Sequence, residues 1–157
     1  MEIIEHQTLE LWNVLSFRGN LSEKELAQKM PAIERIIDHL GAKRNLPTVT
    51  TTYGVFQQQG FPVLDIEILV PLDRKVAAPV GFSWKDHFLL TNAVMVQHVG
   101  DPINMDRSLA GLKNYITCNN LTPISNYYNS TVVESKSPAD IDKFTVNIYV
   151  SISPNIL

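Results

Sequence analysis

Two acids and a small set of aromatic residues are the parts of this sequence with chemistry to offer. Asp65 and Glu67 sit in the run VLDIEILVPLD, Val63 to Asp73, where Ile66, Ile68 and Val70 alternate with Asp65, Glu67 and Leu69. Alternation with a period of two is a half-buried strand, so the two acids share one face and the aliphatics the other. Glu67 then has two readings. It lies on a solvated face, as exposed acids ordinarily do, or it is the carboxylate of a ligand pocket. Tyrosine suits such a pocket, because its ring is an apolar surface with a polar tip and can hold a cation. The plain alternative is that strand aromatics cover the sheet or pack under helices. Tyr53, Glu67, Trp84, Tyr128 and Tyr149 form the candidate ligand-binding set.

Catalytic and metal chemistry find less support. His6, His39, His87 and His98 lack the paired or helical spacing of a metal site, and Cys118 is alone. Ser83, Asp86 and His87 are close in sequence, but a triad is defined by geometry, not by proximity. No catalytic residue, metal ligand or cofactor is assigned, and a binding protein is favoured over an enzyme. A hydrolytic role would rest on Glu67 holding a water within hydrogen-bond reach.

The totals narrow the function classes. At 157 residues, 45% hydrophobic and 18% charged, the chain suits one folded domain with a sizeable core. Net charge is −3 and no basic cluster exceeds a pair or two, which argues against direct contact with nucleic acid. One cysteine excludes an internal disulfide and fits a reducing compartment. The opening MEIIEHQTLELW has acids where a signal peptide needs bases, and no run has the length of a membrane span. A cytoplasmic, bacterial-style protein is expected, with no membrane partner and an oligomeric state that the sequence does not declare.

The candidates must be positioned by recognisable elements. LELWNVLSFRG reads as a strand ending at Gly19. Ser22 and Glu25 then have capping-box spacing, and Leu26, Met30, Ile33, Ile37 and Leu40 form one apolar helical face stopped by Gly41. Pro31 falls inside, so two abutting helical pieces are expected. LPTVTTTYGVF and the Glu67 run are two further strands joined by a turn at QQQGF. The β-α-β-β order then recurs: HFLLTNAVMVQHVG, a helix opened by Asp101-Pro102, LTPISNYYNSTVV and FTVNIYVSIS. Pairing the copies sets Gly19 with Gly100 at 81 residues, Leu46 with Leu121 at 75, and Ile66 with Ile148 at 82, which makes Tyr53 the partner of Tyr128. The expected architecture is α+β: a single domain over 1–157, pseudo-repeats at about 9–72 and 88–153, and a crossover at 73–87. One antiparallel sheet of about eight strands would carry two main helices.

This arrangement resembles the GyrI-like (gyrase-inhibitor-like) family, the effector-binding domain that ends several bacterial multidrug-sensing regulators. The resemblance rests on the repeated β-α-β-β order, on VLDIEILVPL closing the first copy, and on VMVQHVGDP opening the second. His98, Gly100 and Pro102 match that family's sequence in type, with Asp101 interposed. A further likeness is to uncharacterised small proteins of Gram-positive bacteria encoded beside type VII secretion genes. The GyrI-like resemblance implies an amphipathic, often cationic ligand in a groove between the copies, lined by aromatics and an acid. With no helix-turn-helix before the first strand, it implies the stand-alone type. The family's acid usually lies in the closing strand of the second copy, where Asn147 and Tyr149 stand here. That departure moves the expected ligand toward an apolar or amphipathic compound held mainly by stacking. A protein-interaction or accessory role without a ligand, and hydrolysis of a small molecule, are the other functions this reading keeps.

Overall fold

Residues 2–155 are described by the structure, a computed structural model. Period-two alternation carries the first strand well beyond the expected run: β1 spans Ile3–Ser22. His6 and Asn13 sit within it at positive φ, a conformation that Asn and His adopt more readily than most residues. Ser22 ends β1 and caps helix α1, Glu23–His39. Its Oγ accepts from the Glu25 amide at 3.2 Å while the Glu25 carboxylate accepts from the Ser22 amide at 3.1 Å, which closes the expected capping box. Pro31 does not split the helix as expected. Its ring is on the exposed side, and Ile33 and Ile37 anchor the C-terminal half to the sheet at 1% exposure each, so the missing amide bond is tolerated.

β2, Thr48–Gln58, and β3, Phe61–Pro71, form a hairpin through Gln59 and Gly60. Both turn residues have positive φ, as a two-residue type I′ connection requires. β4 runs Phe82–Val99, so the connection before it is shorter than the expected 73–87. Asp101 then caps a 3-10 turn, Pro102–Asn104, by accepting from the Ile103 amide at 3.0 Å. Helix α2, Met105–Cys118, follows, then β5, Tyr128–Val133, a second 3-10 turn, Pro138–Lys143, and β6, Thr145–Ser151. The described residues thus hold six strands where about eight were expected, because β1 and β4 continue through positions at which a shorter strand would have stopped. No helix among the described residues is long and apolar enough to cross a membrane.

The chain divides into two units, one of Leu11–Phe88 and one of the residues up to Glu10 together with those from Leu89 onward. In the first, β3 pairs antiparallel with β1 on one side and β2 on the other. Leu15, Ile68, Val70 and Leu72 meet Ile33 and Ile37 of α1 in its core. In the second, β6 lies between β4 and β5, and Val94, Val96, Ile148 and Val150 meet Leu112 and Ile116 of α2. Each such buried aliphatic contributes about 1.5–3 kcal/mol of transfer free energy, before the entropy of ordering the chain is set against it.

Several backbone hydrogen bonds of one unit recur in the other, at a spacing different from the one the sequence suggests. The hydrogen bonds Ala42 to Ile37, Leu72 to Asn13 and Asp73 to Lys43 reappear as Leu121 to Ile116, Ile152 to Asn92 and Ser153 to Thr122. Residues through the first strand, helix and second strand therefore correspond at a spacing of 79, and those of the closing strand at 80. A bulge between Thr52 and Gly54 has its counterpart between Thr131 and Val133. On this register Tyr53 corresponds to Val132, not to Tyr128, and Glu67 corresponds to Asn147. Local likeness of tyrosines misled the sequence pairing, because register follows from which rows of side chains are buried and from turn geometry, and one matching aromatic reveals neither.

Candidate functional site: the Glu67 network

Ile68 and Val70 turn one face of β3 toward α1, so Glu67 belongs to the opposite face. It is nevertheless only 8% exposed, which removes the solvated-surface reading. Burying a carboxylate costs several kcal/mol unless it is well partnered. Ser16 on β1 donates its hydroxyl to Glu67 Oε2 at 2.7 Å, and Tyr53 on β2 donates its phenol to Oε1 at 2.9 Å. The Lys85 ammonium, from the first stretch of β4, stands 3.6 Å from Oε2. Two hydroxyls and one cation thus meet this acid.

The β2 bulge is what brings Tyr53 into reach. Thr52 lies opposite Ile66 and Gly54 opposite Asp65, so Tyr53 is the extra residue and its side chain is re-aimed. Arg18, directly across from Glu67 in register, lays its guanidinium 3.7 Å over the Tyr53 ring. The same guanidinium donates twice to Asp65, at 3.2 and 3.1 Å. That hydrogen bond, with the nearby charge of Asp65, raises the Arg18 pKa further above its ordinary value. Asp65 is therefore engaged by Arg18 instead of reinforcing Glu67. In the other unit the corresponding positions are uncharged: Gln97 donates to Asn147 at 2.9 Å, and Ser130 lies across from Asn147.

No family model matches the chain, and none of the curated proteins matches it. Solved structures do. The chain shares its fold with the EcmrR C-terminal domain. The TM-score is 0.72 at 12% identity, covering 98% of this chain and 99% of that one. EcmrR in its DNA complex gives a TM-score of 0.75 at 13% identity and covers 96% of this chain, which spans 57% of that longer one. SAV2435 bound to tetraphenylphosphonium gives 0.55 at 9% identity, with 96% of this chain and 95% of that one covered.

Within this EcmrR-like fold the candidate residues divide. Tyr53 and Glu67 are in direct contact. Trp84 is apart from them: it packs against the α1 core cluster and donates its indole N–H to Asp86 at 2.8 Å. That hydrogen bond, aided by Lys75, holds the Asp86 carboxyl below its ordinary pKa. Tyr128 and Tyr149 are direct cross-strand neighbours in the other unit, and Tyr149 is buried. Ser16, Arg18 and Lys85 were missed. A signal for two of them existed, since Ser16 and Arg18 are the polar positions of the alternating run LSFRG.

The histidines and serines outside this network do other work. His98 is buried, with Nε2 at 3.2 and 3.0 Å from the carbonyls of Gly100 and Asp101 and Nδ1 at 3.0 Å from Ser108 Oγ. Two carbonyl acceptors require a proton on Nε2, Nδ1 pairs with the Ser108 hydroxyl, and the ring ties β4 to α2. His87 stacks on Trp12 at 3.9 Å. Among the described residues no three potential metal ligands come together.

Proposed function

We propose that this chain is a small-molecule-binding module of the GyrI-like kind, taking an amphipathic aromatic ligand with Glu67 and Tyr53 as its polar anchor. The observation that carries this reading is the buried Glu67 carboxylate on the sheet face away from α1, held by two hydroxyls and met by a lysine on a long, flexible stem. A lysine is easily displaced, because its stem adopts many rotamers and its ammonium rehydrates readily. An organic cation that takes the place of Lys85 at Oε2 gains a preformed hydrogen-bonded acid, with the Tyr53 ring beside it. The bound tetraphenylphosphonium in SAV2435, a lipophilic aromatic cation on the same fold, supports the ligand class.

Calorimetry and thermal shift with tetraphenylphosphonium, against neutral triphenylphosphine oxide, test the proposal. The cation is expected to bind and the neutral compound to bind at least tenfold more weakly. Glu67→Gln should lose that preference and Lys85→Met should strengthen cation binding. A folded protein that shows no binding to either compound overturns the reading. A protein-partner role is the second reading, favoured by exposed Val55, Phe56 and Phe61 on the β2–β3 hairpin. It predicts that a copurifying partner is lost on Phe61→Ser while ligand binding is unchanged.

A further inference from the structure

The shared plan of the two units exposes one position where they differ in a way that leaves room. β1 and β4 begin at Ile3 and Phe82, 79 residues apart, and both residues pack against the helix-side core of their own unit. At the same spacing Glu5 corresponds to Trp84. The Trp84 indole packs against a cluster that includes Leu15, Ala42 and Leu72. The counterparts of those three residues are Val94, Leu121 and Ile152. Instead of being covered by an indole, they line a cavity of about 260 Å³ together with Glu5, His6 and Asn92.

The cavity has an apolar floor and a charged rim. The Tyr115 hydroxyl donates to Glu5 Oε1 at 3.1 Å, which fixes the carboxylate; this same bond raises the Tyr115 pKa. The other oxygen, Oε2, has His6 Nε2 4.0 Å away. Asn92 donates to the Ile152 carbonyl at 2.8 Å and so stiffens the wall. The volume lies just below the ~300–1,000 Å³ of typical ligand pockets, which suits one or two fused rings.

We propose that this cavity is a binding site for a small protonated aromatic amine, its ring on Val94, Leu121 and Ile152 and its ammonium on the Glu5 carboxylate. The ring takes the place that Trp84 fills in the other unit, and the ammonium is what distinguishes the ligand from a mere filler. This site is separate from the Glu67 network and does not depend on it.

Tryptamine is the probe, with indole-3-acetate as the anion bearing the same rings. Tryptamine at millimolar concentration is expected to raise Tm and to shift the methyl resonances of Val94, Leu121 and Ile152, and indole-3-acetate to do neither. Glu5→Gln should weaken tryptamine binding about tenfold or more. Glu5→Trp, which fills the space from within, should abolish binding and raise Tm; should that variant not fold, Glu5→Gln decides alone. The Val94, Leu121 and Ile152 methyls report this site by itself, so any tryptamine held at Glu67 does not enter the reading. Absence of the methyl shifts, or equal methyl shifts in Glu5→Gln, would each overturn the assignment.

Discussion

Removing single donors from the Glu67 carboxylate separates buried from exposed contributions. Ser16 is 1% exposed and donates to a charged acceptor, so Ser16→Ala is expected to cost about 1.5–3 kcal/mol in urea denaturation. Tyr53 is 42% exposed, and water replaces part of its bond, so Tyr53→Phe should cost less, about 1 kcal/mol. A larger loss for Tyr53→Phe than for Ser16→Ala would contradict this ranking. Glu67 and Tyr53 were legible in sequence as an acid and an aromatic on strands. Their contact was not, because it depends on a bulge, and one extra residue on one strand leaves no compositional mark. Lys85 was hidden for another reason: the stretch that carries it reads as a connection but folds as the start of β4.

At the scale of the element, α1 shows how much local chemistry decides and where it stops. The capping box was readable from Ser22 and Glu25, and its consequence is a pH dependence. The Ser22 amide, and then its hydroxyl, hold the Glu25 carboxyl below its ordinary value. A depressed folded pKa contributes stability that is fully present above the unfolded value, about 4.3, and is lost as pH falls through the folded one. Glu25→Gln keeps the box geometry without the titration, so its denaturation midpoint should fall less than wild type between pH 7 and about pH 3. An equal fall in both proteins would remove Glu25 from the acid response. Pro31 is the point where local rules failed, since burial of Ile33 and Ile37 keeps the helix in one piece. Pro31→Ala restores an amide donor on an exposed face and is expected to raise stability by about 1–2 kcal/mol, the helix gain being partly offset by a more flexible unfolded chain. Thermal melts check the sign.

Across the whole molecule, each unit packs an aliphatic cluster between its strands and its helix. Leu112, on the fully buried face of α2, should cost about 2–5 kcal/mol on truncation to Ala, and Ile33 on α1 should fall in the same range. A loss below 1 kcal/mol at either position, by chemical denaturation, would mean the cluster relaxes around the hole. The apolar steps along both helices, the alternation within the strands and the presence of a turn in QQQGF were determined by the sequence alone, because each reflects neighbours within a few residues. The register was decided only in the tertiary structure: backbone hydrogen bonds between strands tens of residues apart moved the correspondence of the units to 79 and 80 residues. That shift separated Tyr53 from Tyr128 as counterparts, set Glu67 against Asn147, and set Glu5 against Trp84. Whether an acid is solvated, buried with donors, or poised over a cavity depends on what the fold brings to it from elsewhere in the chain, and no local pattern encodes that.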